Sequence, residues 1–314
     1  MTIPRRIIDS HVHFVDRTEN QYPFFERHDE GFEAFVGNYD ALPRRYLPAD
    51  YLADATGYPV EGVVWHEFLS TDAYQEAAWA QRLANESRPR NGNPHAGNLR
   101  IALCAVVEFL DPALEQKLDL YAGLPDLTAI REHVVWDDAN PRKRFAKRGD
   151  LMRDPEWNRR LAILKRYDLK CGLYAFASQL PDLIEVVRSH PDIGFTAALM
   201  GWPLDLSDEG FARWKRDLHE LAGCDNIRMD ISALECLFGM KWSIQDAARW
   251  VSTTIETMGV SRCMFGSHMP IAGLSVGFAE VYRRYTDMLH DYSASEADEM
   301  FYGVANRWFM PANG

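Results

Sequence analysis

Hydrophobic and polar positions alternate along this chain in blocks, with short apolar runs of strand length set between longer stretches of helical spacing. The first block is Ile7-Ile8-Asp9-Ser10-His11-Val12-His13-Phe14, where two isoleucines run into polar–apolar alternation. That is the pattern of a strand leading from a buried start to a functional end. Side chains alternate faces on a strand, so Asp9, His11 and His13 are expected on one face, and two imidazoles can converge on one ligand or ion. Further strands are expected at 62–65, 100–107, 127–135, 169–176, 193–199, 226–231 and 262–265. The nearly continuous apolar run RIALCAVV at 100–107 suits a parallel sheet covered on both faces. Helical spacing predicts helices over 72–85, 112–121, 155–167, 181–189, 208–222 and 243–258, with 278–289 and 295–309 at the end. Asp111-Pro112 and Asp154-Pro155 have the form of an N-cap followed by proline at the first helical position.

Eight strands alternating with helices over 314 residues predict an α/β fold, a single-domain (β/α)8 TIM barrel spanning 1–314. A doubly wound sheet is the alternative, weakened by the absence of Gly-x-Gly-x-x-Gly after an early strand. Residues 15–57 form a long aromatic-rich excursion after strand one. A connection of that length reads as a lid, with Tyr22, Phe24 or Tyr39 expected to wall the pocket, or else as an excursion packed against the barrel.

The net charge of −12 and pI near 5.3 argue against nucleic acid or an anionic membrane as a partner and leave a small-molecule substrate. No stretch approaches the roughly 18 apolar residues of a membrane helix. Five scattered cysteines without a Cys-x-x-Cys spacing, and Arg5-Arg6 with no apolar run behind them, point to a reduced cytoplasmic protein without a signal peptide.

In such a barrel the active site lies at the C-terminal strand ends. These ends offer His11 and His13, His66-Glu67, Glu108, Arg131 and His133, Tyr174 and Ser178, Leu199, and Gly266-Ser267-His268. Strand seven adds Arg228, Asp230 and Ser232, with Arg228 and Asp230 read as a buried pair plugging the barrel.

Several stretches together resemble the amidohydrolase superfamily, in the branch of 2-pyrone-4,6-dicarboxylate lactonase and the sugar-acid lactonases. They are IDSHVHF (8–14), NYDALPRRYLPADYLADA (38–55), AIREHVVWD (129–137), DPEW (154–157), YAFASQLPDL (174–183), RCMFGSHMP (262–270) and GVANRWF (303–309). The resemblance implies a TIM barrel that hydrolyses a small cyclic ester, carboxylated or aromatic-derived. It also exposes departures: Ser178 and Leu199 stand where the branch commonly has histidine, and His268 where it has aspartate or asparagine. The superfamily's binuclear centre therefore cannot be built. The reading favours no required cofactor, because the lost ligands leave little around an ion to hold it. The alternative is one divalent metal, most simply zinc, on His11, His13 and His268. In this reading His268 is the base, and His11 and His13 polarise the carbonyl, directly or through zinc. Arg131 grips a substrate carboxylate, His133 orients the leaving oxygen, and Glu67, Glu108, Tyr174 and Ser178 complete the substrate site. Two other functions fit the same residues: a metal-independent lyase, hydratase or isomerase, and a non-catalytic binding barrel. Barrels of this kind often pair, so a homodimer is compatible with the sequence.

Overall fold

The structure, a computed structural model, describes residues 4–88 and 99–311. Eight parallel strands follow one another around the sheet in chain order, which excludes the doubly wound alternative. They are β1 (Ile7–Val12), β2 (Val60–His66), β3 (Arg100–Val106), β4 (Leu127–His133), β5 (Lys170–Tyr174), β6 (Phe195–Ala198), β7 (Ile227–Ile231) and β8 (Cys263–Phe265). Register brings the strand ends to one rim: His66 lies beside Cys104, Val106 beside Arg131, and His133 beside Tyr174.

The seam between β1 and β8 is closed near the rim. The His268 amide donates to the His11 carbonyl and the His13 amide to the Met269 carbonyl, each at 2.8 Å. The Ser267 amide donates to Asp9 Oδ1 at 2.7 Å. Gly266 permits this approach, because a Cβ there would stand 2.7 Å from both the backbone nitrogen and the Cβ of His11.

The opposite end is plugged. Val304, Ala305, Phe309 and Met310 pack against Ile8, Val64, Ala102, Cys104, Ala129 and Met264. The expected continuous helix over 295–309 is instead Ala294–Asp298, a π turn at Glu299–Gly303, and Val304–Phe309. Arg228 belongs to this lower end. It donates to the carbonyls of Asp225 and Ile227 at 2.8 and 2.9 Å and stacks 4.5 Å from the Trp308 ring centre. The expected Arg228–Asp230 pair does not form, since a long arginine reaches down to the barrel foot while the short aspartate stays near the rim.

The excursion carries short helices at Pro23–Glu26, Glu30–Val36 and Pro48–Asp54. Its aromatic residues are core residues: Tyr22, Phe24, Phe32, Phe35, Tyr39 and Tyr51 are all buried. The five cysteines are free thiols. Among the described residues no helix is long and apolar enough to cross a membrane.

Candidate active site

Three histidines meet at the rim, one ring nitrogen from each of His11, His13 and His268 lying within 4.8 Å of the others. Their orientations come from partners on the far side of each ring. His11 Nδ1 donates to Asp230 Oδ2 at 3.0 Å, and Asp230 also accepts from Ser10 Oγ at 2.5 Å and Ser232 Oγ at 2.7 Å. His13 Nδ1 donates to the His66 carbonyl at 2.9 Å. His268 Nδ1 donates to Glu235 Oε1 at 2.6 Å. An oxygen acceptor behind each ring favours the proton on Nδ1, which leaves Nε2 as the nitrogen with a lone pair to offer a ligand.

Burial drives His11 and His13 well below the usual imidazole range, helped by the positive Arg131 nearby, so both are neutral at pH 7. Burial also pushes the Asp230 carboxyl up to about 7, against the hydroxyls of Ser10 and Ser232 that favour its charged form. His66 does not join the group of three. Its Nε2 donates to the Ser10 carbonyl, its Nδ1 accepts from Tyr174 Oη, both at 3.0 Å, and its ring stacks on His11 with centroids 4.1 Å apart.

Arg131 is already engaged. Its Nε donates to Glu67 Oε1 at 2.7 Å, its Nη2 to the Glu67 carbonyl at 2.7 Å, and the Tyr174 ring covers it at 4.7 Å. Glu67 therefore balances Arg131 and does not reach a ligand. His133 Nε2 donates to the same Glu67 oxygen at 2.7 Å, which leaves its Nδ1 uncommitted at the cavity wall. Burial and then Arg131 lower the pKa of His133, against Glu67.

The cavity over the histidines has a volume of about 70 Å³ open to the centre of a water-sized sphere. Arg131, His133 and Tyr174 line it as the sequence led one to expect, but two other expected contacts do not. Glu108 lies at the surface, paired with Lys147 at 2.5 Å. Ser178 opens onto a different groove, beside Asp137 and Pro181. In both cases the residue lies beyond the strand end, Glu108 two residues past Val106 and Ser178 in a 3-10 turn at Ala177–Gln179. The excursion does wall the cavity, but through Phe32, Phe35 and Val36. Tyr22, Phe24 and Tyr39 stand behind them, Phe24 stacked 4.2 Å and Tyr39 edge-on 4.9 Å from Phe32.

Asp9 also leaves the expected face. It turns to the Ser267 amide and to Tyr51 Oη at 2.8 Å, where β1 shifts register between Asp9 and Val12. Sequence reasoning placed Asp230 and His66 near strand ends but gave Asp230 to a plug and saw no role for the His66 carbonyl. It passed over Glu235 and Cys236 as site residues, which lie beyond the strand end with no pattern to mark them.

Backbone strain gathers at this rim. Leu69, Leu199, Met200, Trp202, Ala233 and His268 all have positive φ, between 37° and 63°. Left-handed backbone outside glycine costs roughly 1–2 kcal/mol per residue and is typical of functional sites. At His268 it lets the amide bond to His11 while the ring turns toward Glu235.

Comparison with known proteins agrees with this architecture. Residues 8–310 match a family model described as amidohydrolase. The chain is 25% identical over 305 residues to the protein y4mH of Sinorhizobium fredii, covering 96% of this chain and 98% of that one. It is 26% identical over 290 residues to an L-fucono-1,5-lactonase of Burkholderia multivorans, covering 84% and 92%. The crystal structure of an amidohydrolase from Burkholderia multivorans with bound Zn superposes with a TM-score of 0.77 at 22% identity, covering 97% and 99%.

Proposed function

The chain belongs to the amidohydrolase family, and from that premise we propose that it hydrolyses a small cyclic ester at the cavity above His11, His13 and His268. The observation that carries this reading is one ring nitrogen from each of three buried histidines within 4.8 Å of the others, while each Nδ1 is held by an oxygen behind the ring. Lone pairs on nitrogens this close repel unless a cation or a donor stands between them. The donor set fits a single divalent metal: neutral imidazoles, each held from behind by a carboxylate or a carbonyl. The sequence reading favoured no metal because ligands are missing on two strands, whereas Asp230, Glu235 and the His66 carbonyl supply the oriented support it lacked. The lactonase relative of Burkholderia multivorans supports ring-ester hydrolysis. Bound, such an ion would polarise an ester carbonyl and acidify a water.

The chain's own groups do the rest. His11, His13 and His268 supply the ligand atoms, and their tautomers bar them from donating to a carbonyl themselves. His133, with Nδ1 uncommitted, takes a proton from water and returns it to the ring oxygen as the ring C–O bond breaks. Burial, and after it Arg131, keeps His133 unprotonated and so free to accept that proton.

A second reading rests on the Glu235–His268 hydrogen bond, which orients His268 as an acid-supported base needing no metal. Metal analysis of protein purified without chelators, followed by a lactone panel on His133→Asn, His268→Asn and His13→Ala, separates the two. The metal reading expects His13→Ala to lose metal and turnover together, and His133→Asn to keep metal while kcat falls about 10²–10⁴-fold. If turnover survives metal removal and only His268→Asn abolishes it, His268 is the base. If the metal-loaded protein opens no ring ester, a lyase or a binding barrel remains.

A further inference from the structure

We infer that the substrate presents its reacting carbonyl on an uncharged, largely apolar ring, such as an aryl-fused lactone, and that polyhydroxylated and carboxylated lactones are excluded. This rests on the ring-ester reading of the same cavity and adds the substrate class. Away from the histidines the wall is made by Phe32, Phe35, Phe68, Phe145, Leu199 and Trp202. Phe145 stacks on Phe35 at 4.2 Å and Trp202 meets Phe35 edge-on at 5.2 Å, so these faces form one aromatic surface. No Ser, Thr, Asn, Gln, Asp or Glu is among the described residues that line the cavity. The one phenol there, Tyr174, spends its hydroxyl on His66 Nδ1. A sugar-like ring would lose hydrogen bonds to water for its hydroxyls and regain few of them here.

The same wall rejects a carboxylate. Arg131 is the only lysine or arginine among the described lining residues, and Glu67 already neutralises it with bonds at 2.5 and 2.7 Å. A carboxylate placed against this wall, away from the reacting carbonyl, would find no unbalanced positive side chain among the described lining residues. The turn after β6 makes the shape specific: Leu199, Met200 and Trp202 take φ values of 53°, 55° and 37°, and the turn presents Leu199 and Trp202 to the cavity.

The test compares kcat/KM for 3,4-dihydrocoumarin with that for D-glucono-1,5-lactone, a hydroxylated lactone of the same ring size, on the metal-loaded enzyme. In parallel, calorimetry on the metal-free protein measures binding of chroman, the ring ether without a carbonyl, and of phthalate. Dihydrocoumarin is expected to be favoured by about 10²-fold or more, the order by which an apolar pocket rejects added hydroxyls. Chroman should bind and phthalate should not. Glu67→Gln, checked for folding by its melting curve, should release Arg131 and bring phthalate binding up at least tenfold over wild type. Trp202→Ser should lower dihydrocoumarin kcat/KM, and Trp202→Phe should restore most of it. Comparable or better turnover of the sugar lactone, or tight phthalate binding by the wild type, would overturn the substrate class and leave the lactonase reading standing. Chroman binding with no lactone opened would sink the lactonase reading and leave the apolar site. If neither chroman nor dihydrocoumarin binds, the inference is wrong.

Discussion

Burial, more than any pairwise contact, sets the chemistry of single residues here. Glu132 shows this away from the cavity. It is buried in the barrel wall, where its Oε2 accepts from the Phe109 amide at 3.0 Å and from Trp157 Nε1 at 2.8 Å. Burial pushes its carboxyl up to about 7, against those two donors. A folded-state pKa above the unfolded value means that the folded protein holds the proton more tightly. The associated stability is present below the unfolded value near 4.3 and is lost as pH rises through about 7. A shift of this size corresponds to about 3.5 kcal/mol at most. Glu132→Gln keeps an acceptor for both donors without the titration. It should match wild type in urea melts near pH 4.5 and exceed it by roughly 2 kcal/mol at pH 8. A constant difference between the two pH values would show that Glu132 is not held protonated.

Legibility at this scale followed a simple line. His11, His13, Arg131, His133, Tyr174 and His268 could be placed together because each sits at a strand end and the barrel brings strand ends to one rim. What each does there could not be read, because it depends on partners far away in sequence. Arg131 looked like a free anchor until Glu67 was seen against it, and Asp230 looked like half of a plug until its bonds to Ser10 and His11 appeared.

Among the elements, strands and most helices followed directly from apolar periodicity, while two departures have local causes. The helix expected over 155–167 tightens into a 3-10 turn at Ala162–Tyr167 and ends at Asp168, whose backbone is left-handed. The terminal helix widens into the π turn at Glu299–Gly303, where Glu299 is ion-paired with Arg307 and a Cβ on Gly303 would collide with the Glu299 carboxylate. Neither leaves a mark in hydrophobic spacing. The sequence left the excursion over 15–57 open between a lid and a segment packed against the barrel, and its buried aromatics favour the second. A detachable lid would bury little, yet Phe32 packs on Phe24, Tyr39 and Phe68, and Tyr51 hands a hydrogen bond to the buried Asp9. The excursion should therefore be as necessary for folding as for activity. Phe32→Ala should cost about 3–5 kcal/mol, as for other buried phenylalanines, and Tyr51→Phe about 1–3 kcal/mol for a buried carboxylate left short of a donor. Chemical denaturation with a single cooperative transition in both variants is the expected outcome. A variant that keeps wild-type stability while losing turnover would restore the lid.

For the whole molecule, the vulnerable line is the seam where the first strand meets the last. The neighbouring strands along the sheet run β1 to β8 in order, whereas β1 and β8 are joined by the Val12–Met269 bridge, two backbone hydrogen bonds and the bond from the Ser267 amide to Asp9. His11 and His13 stand on one side of that seam and His268 on the other. An ion held by all three would clamp the barrel shut, so its binding should read out as stability and not only as rate. Ligand binding to the folded state alone adds about 2.7 kcal/mol at a hundredfold excess over Kd. For a domain of this size that is a Tm rise of several degrees. Thermal melts in zinc and after chelation should therefore differ by that amount, with one zinc per chain by elemental analysis. His13→Ala should abolish the difference while melting close to the chelated wild type, since it removes one ligand and leaves the backbone bonds of the seam intact. Glu235→Gln should shrink the difference without removing it, because an amide still accepts from His268 Nδ1 but brings no negative charge behind the ligand. Zinc that binds with no change in Tm, or that raises the Tm of His13→Ala as much as that of wild type, would place the ion elsewhere on the protein.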